Sequence, residues 1–255
     1  MSAITAYLKS FAFGRRAFQR FFKRAALLSL EGMNIGTGGG ALDNGESYAI
    51  SYALKGADKP VVFDIGAQGG DYSREALRVT NGAAKIYAFE PRAEDFAALK
   101  ERLGDTVRLV PKALGDAAGK RELFYPKGGS GLSSFYREDS SFTESEQAET
   151  ETLDAFCAAE GIAAITLLKL DVEGHELVCL RGARKMLPHI EHIQFEFGIR
   201  SRDARVYFRD IFDYLKDYRI YRILKDGLAE VKAPDKFAEL LFTTNYLAVR
   251  REKGQ

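Results

Sequence analysis

Two runs of residues in this chain have the types and spacing to do chemistry. The first, VVFDIGAQGGDYSR over residues 61–74, ends a short apolar stretch in Asp64 and opens at once into Gly66, Gly69 and Gly70. Close behind it, KIYAFEP over residues 85–91 ends a second β-rich stretch in Glu90. Glycines let a backbone approach a ligand closely, and an acid at the tip of the next strand accepts hydrogen bonds from ribose hydroxyls. A nucleoside is therefore the expected ligand. A dinucleotide fingerprint wants G-x-G-x-x-G, whereas Ala67 and Gln68 leave G-x-x-G-G in this loop. Such a loop is wider and poorly suited to a pyrophosphate. The acid before it repels phosphate but suits a cation, such as the sulfonium and amino group of S-adenosylmethionine. These residues point to a methyl-donor site.

The second run is LLKLDVEGHE over residues 167–176. An apolar strand delivers Asp171 and Glu173 at its carboxyl end, Gly174 turns the chain, and a helix starts with His175 and Glu176. Ligands of open α/β sheets bind at that edge, so these side chains should face the same cleft as Gly66 and Glu90. The competing use for such acids is to cap the following helix at its positive N-terminus, and Glu176 is the best placed to do so.

Both runs need a sheet to position them. From Pro60 onward strand and helix alternate, the signature of a doubly wound, mostly parallel α/β sheet. Strands are expected near 61–65, 85–90, 107–111, 165–170, 191–197, 219–224 and 241–249. Helices are expected near 43–54, 71–80, 93–103, 150–160, 174–187 and 203–217. The rhythm breaks between 112 and 149. There a turn and short edge strand precede a Gly/Ser loop with aromatic residues, 127–136, suited to a mobile lid. Length fits one α/β domain over 45–255 with an extension over 1–44.

That extension differs from the rest. Lys9, Arg15, Arg16, Arg20, Lys23 and Arg24 are interleaved with phenylalanines, no acid appears before Glu31, and GTGGGA follows over 36–41 as a linker. The expectation is helices that pack Phe and Leu on the body and leave Arg in water. A membrane-surface helix through residues 1–30 and an organellar transit peptide are the alternatives. Over the whole chain, 37 Lys+Arg against 36 Asp+Glu give a net charge of +1, too balanced for a nucleic-acid partner. Cys157 and Cys179 lack metal or disulfide spacing, and no apolar run approaches the roughly 20 residues that span a bilayer. A cytoplasmic location follows, with the inner membrane surface as the alternative. The oligomeric state is not legible.

In combination, FDIGAQGGDYS (63–73), AFEP (88–91) and LKLDVEGHE (168–176) with LRG (180–182) resemble the FkbM family of S-adenosylmethionine-dependent methyltransferases. The resemblance covers about residues 45–250, and QFEFG (194–198) and NYLA (245–248) share it. Gln68 stands where the family usually carries Asn. The resemblance implies a class I, Rossmann-like methyltransferase fold with S-adenosylmethionine as cofactor. It also implies that Asp64, Gly66, Gln68, Gly69 and Tyr72 surround the methionine part of the donor and Glu90 holds the ribose. Asp116 would lie by the adenine amino group, and Asp171 beside the transferring methyl. Its usual acceptors are oxygens of sugars and secondary metabolites.

A hydroxyl acceptor calls for a base, because its proton must leave as the new bond forms. His175 has the right unperturbed pKa, and Asp171, Glu173 and Glu196 become candidates if burial raises theirs. His192 and Glu196 bracket a strand without the fixed ligand spacing of a metal site, so no metal is expected. The amide-directed D/N-P-P-Y/F motif is absent at DVEG, which favours an oxygen acceptor, and the resemblance implies an O-methyltransferase acting on a sugar, glycoconjugate or secondary metabolite. A non-catalytic donor-binding domain at a membrane surface is the first alternative. A nicotinamide-dependent oxidoreductase is the weaker one.

Overall fold

The computed structural model describes residues 11–38, 44–128, 132–137 and 141–252. Lys9, the second half of the glycine linker (39–41) and the tip of the Gly/Ser loop (129–131) lie outside them.

The strands that carry the site are apolar on both faces, as strands covered on both sides must be. β1 (Val61–Ile65), β2 (Lys85–Phe89), β3 (Arg108–Val110), β7 (Ile165–Leu170) and β8 (Ile190–Phe197) run parallel in the order β3-β2-β1-β7-β8. Their side chains alternate between two cores. Phe63, Tyr87, Phe89 and Leu168 meet α5 (Leu153–Glu160), α6 (Glu176–Arg181) and α8 (Phe208–Tyr214) on one face. Val62, Ile86, Ala88 and Leu167 meet α2 (Glu46–Leu54), α3 (Asp71–Val79) and α4 (Ala93–Leu103) on the other. The aromatic layer is tight: Phe63 stacks on Tyr87 with centroids 4.8 Å apart, and Phe156 stands edge-on to both. β11 (Thr244–Arg250) continues the sheet antiparallel to β8, followed by β9 (Tyr218–Leu224) and β10 (Gly227–Val231) as an edge hairpin.

From β1 the chain winds outward through β2 and β3, then returns to lay β7 against the other side of β1. The β1–β7 boundary is the switch point at which such sheets bind ligands. The two strand ends touch there, backbone to backbone. Asp171 N–H donates to Ile65 O at 3.1 Å, and a Cβ built on Gly66, whose φ is +79°, would sit 1.9 Å from Asp171 O. Only glycine fits that place.

The expected doubly wound sheet is present, with local differences. β6 (Glu144–Glu151) was not foreseen; it pairs with β5 (Gly119–Tyr125) and β4 (Ala113–Leu114) in a separate three-stranded sheet. Its sequence, ESEQAETE, buries only Ala148 and Thr150 and so has no apolar rhythm. The helix expected from 150 starts at Leu153, because Thr152 caps it by accepting from Ala155 N–H at 3.1 Å. The helix expected over 203–217 divides into α7 (Ile199–Asp203) and α8, separated by Arg205 at φ +57°. The one expected over 174–187 is only the short α6, and β10 adds a strand to the expected C-terminal pair.

The N-terminal expectation is overturned. α1 (Gln19–Gly32) buries none of its residues, so its Phe and Leu do not pack on the body. Among the described residues no helix is long and apolar enough to cross a membrane.

Gly66 and Gly82 share φ +79°, but nothing lies within 4 Å of a Cβ at Gly82. Gly82→Ala should therefore lose only the left-handed backbone preference, about 1 kcal/mol. Gly66→Ala adds a clash with backbone and should lose a further 1–3 kcal/mol, roughly as overpacking does. Midpoints of chemical denaturation at constant slope read both; equal losses would mean that the strand ends are not in contact.

Candidate active site

Above the β1–β7 boundary lies a cavity of about 610 Å³, a size common for small-molecule sites. The loop after β1, the end of β2, β4, the segment after β7, the end of β8 and the first turn of α2 form its wall. Leu132–Phe135 close it from above.

Glu90 occupies the tip of β2, buried against the β1 loop. Gln68 N–H donates to its Oε2 and Arg92 N–H to its Oε1, each at 3.0 Å. Gln68 adopts φ +47° to aim its N–H there, a conformation a non-glycine residue takes only under constraint. Burial lifts the Glu90 carboxyl to about 7, against the pull of those two N–H groups. Each oxygen accepts one hydrogen bond from the protein and retains a second lone pair, which suits the two adjacent hydroxyls of a ribose.

The floor is built on Lys169, in the middle of an otherwise apolar strand. Its Nζ lies 3.2 Å from Asp64 Oδ1 and 3.4 Å from Asp171 Oδ2, and donates to Gly66 O at 3.1 Å. The Asp64 contact is an ion pair without the direction of a hydrogen bond. Burial disfavours the Lys169 charge, but the carboxylates of Asp64, Asp171 and Glu46 outweigh it and push its pKa above the usual range. Asp64 is 0% exposed and accepts from Ser73 Oγ at 2.7 Å. It is thus not in the cavity wall, contrary to expectation, and anchors Lys169 and α3 from beneath.

Facing Lys169 are more acids. Tyr72 O–H donates to Gln194 Oε1 at 3.0 Å, and Gln194 Nε2 donates to Glu46 Oε1 at 2.8 Å, fixing Glu46 in the wall. Burial raises Glu46 to about 7; Lys169 opposes that rise and Asp171 adds to it. Glu196 is pushed well above the carboxylate range by burial, then by Asp171, Glu173 and Glu176. Burial, then Asp171 and Glu176, push Glu173 up to about 8 against the pull of Lys169, and Arg200 Nε lies 3.3 Å from its Oε2. Glu176 holds the loop between them, its Oε1 accepting from Val172 and Gly174 N–H at 3.2 Å each.

The structure therefore brings Gly66, Gln68, Gly69, Tyr72, Glu90, Asp171, Glu173 and Glu196 to one cavity and leaves Asp64, Asp116 and His175 off its wall. Asp116 lies on an exposed turn, and its neighbours Lys112, Ala113 and Leu114 line the cavity instead. His175 is 0% exposed. Arg121 Nη1 donates to its Nε2 at 3.4 Å, leaving Nδ1 to carry the proton toward Tyr136 O–H at 3.1 Å. Burial, and then Arg121, push its pKa down to about 3. His175 is enclosed beneath the Phe135–Tyr136 segment and supports the cavity's cover, and it does not line the cleft as the sequence suggested. His192 does not join Glu196: it faces Thr166 O at 3.2 Å and the edge of Tyr52. Among the described residues no group of three or more His, Cys, Asp and Glu is arranged to hold a metal.

Lys169 and Glu46 are among the wall residues that escaped the sequence reading. Lys169 carries a signal, a charge at a buried strand position. Glu46 carries none, because it comes from a helix before β1 and meets the site only through the fold.

An acid-rich wall, a close-approach glycine and a two-oxygen acceptor at the second strand fit a cationic nucleoside, and S-adenosylmethionine is one. The sequence profile of the methyltransferase FkbM domain matches residues 64–222. No curated protein matches the chain significantly. Solved structures show distant likenesses. A precorrin-6y C5,15-methyltransferase from Geobacter metallireducens is 12% identical with a TM-score of 0.43, covering 80% of this chain and 87% of that one. A SAM-dependent methyltransferase from Aquifex aeolicus is 11% identical with a TM-score of 0.45, covering 82% and 92%. A SAM-dependent O-methyltransferase from Thermotoga maritima is 13% identical with a TM-score of 0.41, covering 82% and 66%. Likenesses this distant say nothing of substrate. The profile match is different in kind, since it spans more than half of the 255 residues and both strand-end segments of the site. The chain belongs to the FkbM family of S-adenosylmethionine-dependent methyltransferases.

Proposed function

We propose that the protein methylates a hydroxyl oxygen of a sugar, glycoconjugate or secondary metabolite, with Glu196 as the base. One observation carries this reading: Glu196 is a buried carboxyl in the cavity wall whose pKa is driven upward by burial and by the neighbouring acids. A hydroxyl needs a proton acceptor, and a carboxylate whose pKa is raised is a stronger base than an exposed one.

Glu90 would hold the ribose hydroxyls of the donor, and the Gly66–Gly70 loop would pass along its methionine part. When bound, S-adenosylmethionine supplies a methyl group already activated for in-line displacement by its sulfonium. Asp171, tethered by Lys169, sets the spacing between donor side and acceptor side. Glu196 takes the hydroxyl proton onto a carboxylate oxygen as the oxygen–methyl bond forms. Leu132–Phe135, fixed through Ser134 Oγ donating to Glu173 O at 3.0 Å, keep water out. A sugar suits the wall because its hydroxyls donate readily to carboxylates.

Donor binding should be pH-dependent. The ionised Glu90 accepts two ribose hydroxyls and the protonated form only one, so affinity should rise as pH climbs through about 7. Glu90→Gln should flatten that dependence and weaken binding about tenfold at high pH, since charge-assisted bonds contribute roughly 1.5–3 kcal/mol. Calorimetric titration reads both, and an unchanged, still pH-dependent affinity in the folded variant would place the ribose elsewhere.

Turnover should fall on the order of 10²–10⁴-fold in Glu196→Gln while donor affinity holds within a few-fold. The wild-type rate should rise with pH as Glu196 loses its proton, and His175→Asn should keep that limb. A limb that vanishes in His175→Asn and survives in Glu196→Gln would return the base to His175. Acceptors are best found by incubating labelled donor with a panel of sugars and reading the products by mass spectrometry.

A further inference from the structure

We infer that the N-terminal segment docks this protein on an anionic membrane surface, in the plane of the interface. A helix of a soluble domain puts its apolar stripe on the core. α1 does the reverse: it buries nothing, and Phe21 and Leu28 are 64% and 70% exposed. The stripe is nonetheless well formed. Phe21, Phe22, Ala25 and Leu28 recur at helical spacing on one face, with Phe18 in the turn before the helix, while Arg20 and Lys23 lie on the opposite face and Arg24 at its edge. Phe13, 52% exposed, packs on Phe22 with centroids 4.8 Å apart, and Phe21 meets Phe22 at 5.4 Å. The phenylalanines pack on one another, Phe18 and Phe22 half-buried and Phe11, Phe13 and Phe21 open to solvent.

The occupant must be apolar and negatively charged at its boundary. Residues 1–30 contain six cations and no acid. A second copy of the same segment brings no acid to pair with these cations, so it lacks the charge complementarity that an anionic surface has. Fourteen residues extend about 21 Å, short of the roughly 30 Å hydrocarbon core, so the helix lies in the interface and does not cross it. Cations at the headgroups with Phe and Leu at the acyl boundary are the makeup of such helices.

The helix is not on a loose tether. Asn34 Nδ2 donates to Asn44 O at 2.6 Å and to Ile223 O at 2.9 Å, and Gly38 N–H donates to Thr243 O at 2.9 Å. Gly38 is itself part of the cavity wall. Beside this anchor the exposed Phe242 ring lies against Gly36, and Leu241 precedes it in the chain. Leu241 and Phe242 thus add exposed apolar surface beside the segment that joins α1 to the wall residue Gly38. Docking requires no assignment of the reaction.

Flotation of the full-length protein with vesicles tests this. With phosphatidylcholine vesicles containing phosphatidylglycerol the protein should float, and with phosphatidylcholine alone it should stay behind. Raising salt from about 0.1 M to about 1 M should release it roughly tenfold or more, because the screening length contracts. Replacing Arg16, Arg20, Lys23 and Arg24 together by Gln should reduce partition on the order of a hundredfold, and Phe21→Ser with Leu28→Ser should abolish it. Both variants should keep donor affinity, which shows that the body is folded. No flotation with the anionic vesicles, equal flotation with neutral ones, or retention by either variant would overturn the inference. So would sedimentation showing a dimer that Phe21→Ser with Leu28→Ser dissociates.

Discussion

The site depends on one buried cation. A charge without water is very unfavourable unless it is paired and hydrogen-bonded, and Lys169 meets that condition by reaching Asp64, Asp171 and Gly66 O together. Those three partners lie at the ends of two neighbouring strands. The ammonium therefore sets the spacing of β1 and β7 where the sheet opens, and it offsets acids that would otherwise repel one another. Glu46, Glu173 and Glu196 all take up positions around that ammonium, which opposes the upward drift of each of their pKa values.

From this follows a division of labour among acids that look alike in sequence. Asp64 is a foundation, Glu176 ties a loop through two N–H groups, and Glu90 presents both oxygens to the cavity. Glu196 and Glu46 share the wall, each in the field of Asp171. What separates these roles is burial and the direction of hydrogen bonds, not residue type. The strained turns at Gln68 and Glu173, both at positive φ, are where the backbone is bent to direct those groups.

That distinction also explains what was legible in the sequence. Strands buried on both faces announce themselves by apolar runs, and the G-x-x-G-G loop followed by a strand ending in Glu90 marks a nucleoside site through local geometry alone. The parallel order of the sheet was accordingly readable. His175 misled because its ordinary pKa suggests a base, whereas Tyr136, Arg121 and Phe135, all from a distant segment, enclose it. Asp116 misled in the opposite sense, since a turn acid has no local feature that says which way it faces. β6 was hidden by its charges, and Glu46 by its distance in sequence from everything it touches. α1 reads as an amphipathic helix in either case; only the fold shows that no core receives its stripe.

Calorimetric titration of S-adenosylmethionine into the wild type and into the double variant Asp64→Asn with Lys169→Met tests the central claim most directly. The pair of substitutions removes the cation together with its most deeply buried carboxylate, and Glu46, Glu173 and Glu196, whose pKa values burial already raises, can take up protons, so the sheet should remain folded. The account predicts stoichiometric binding by the wild type and an affinity at least about tenfold weaker in the folded double variant, as the two strand ends lose their common tie. No binding by the wild type, or equal affinity in both proteins, would contradict it.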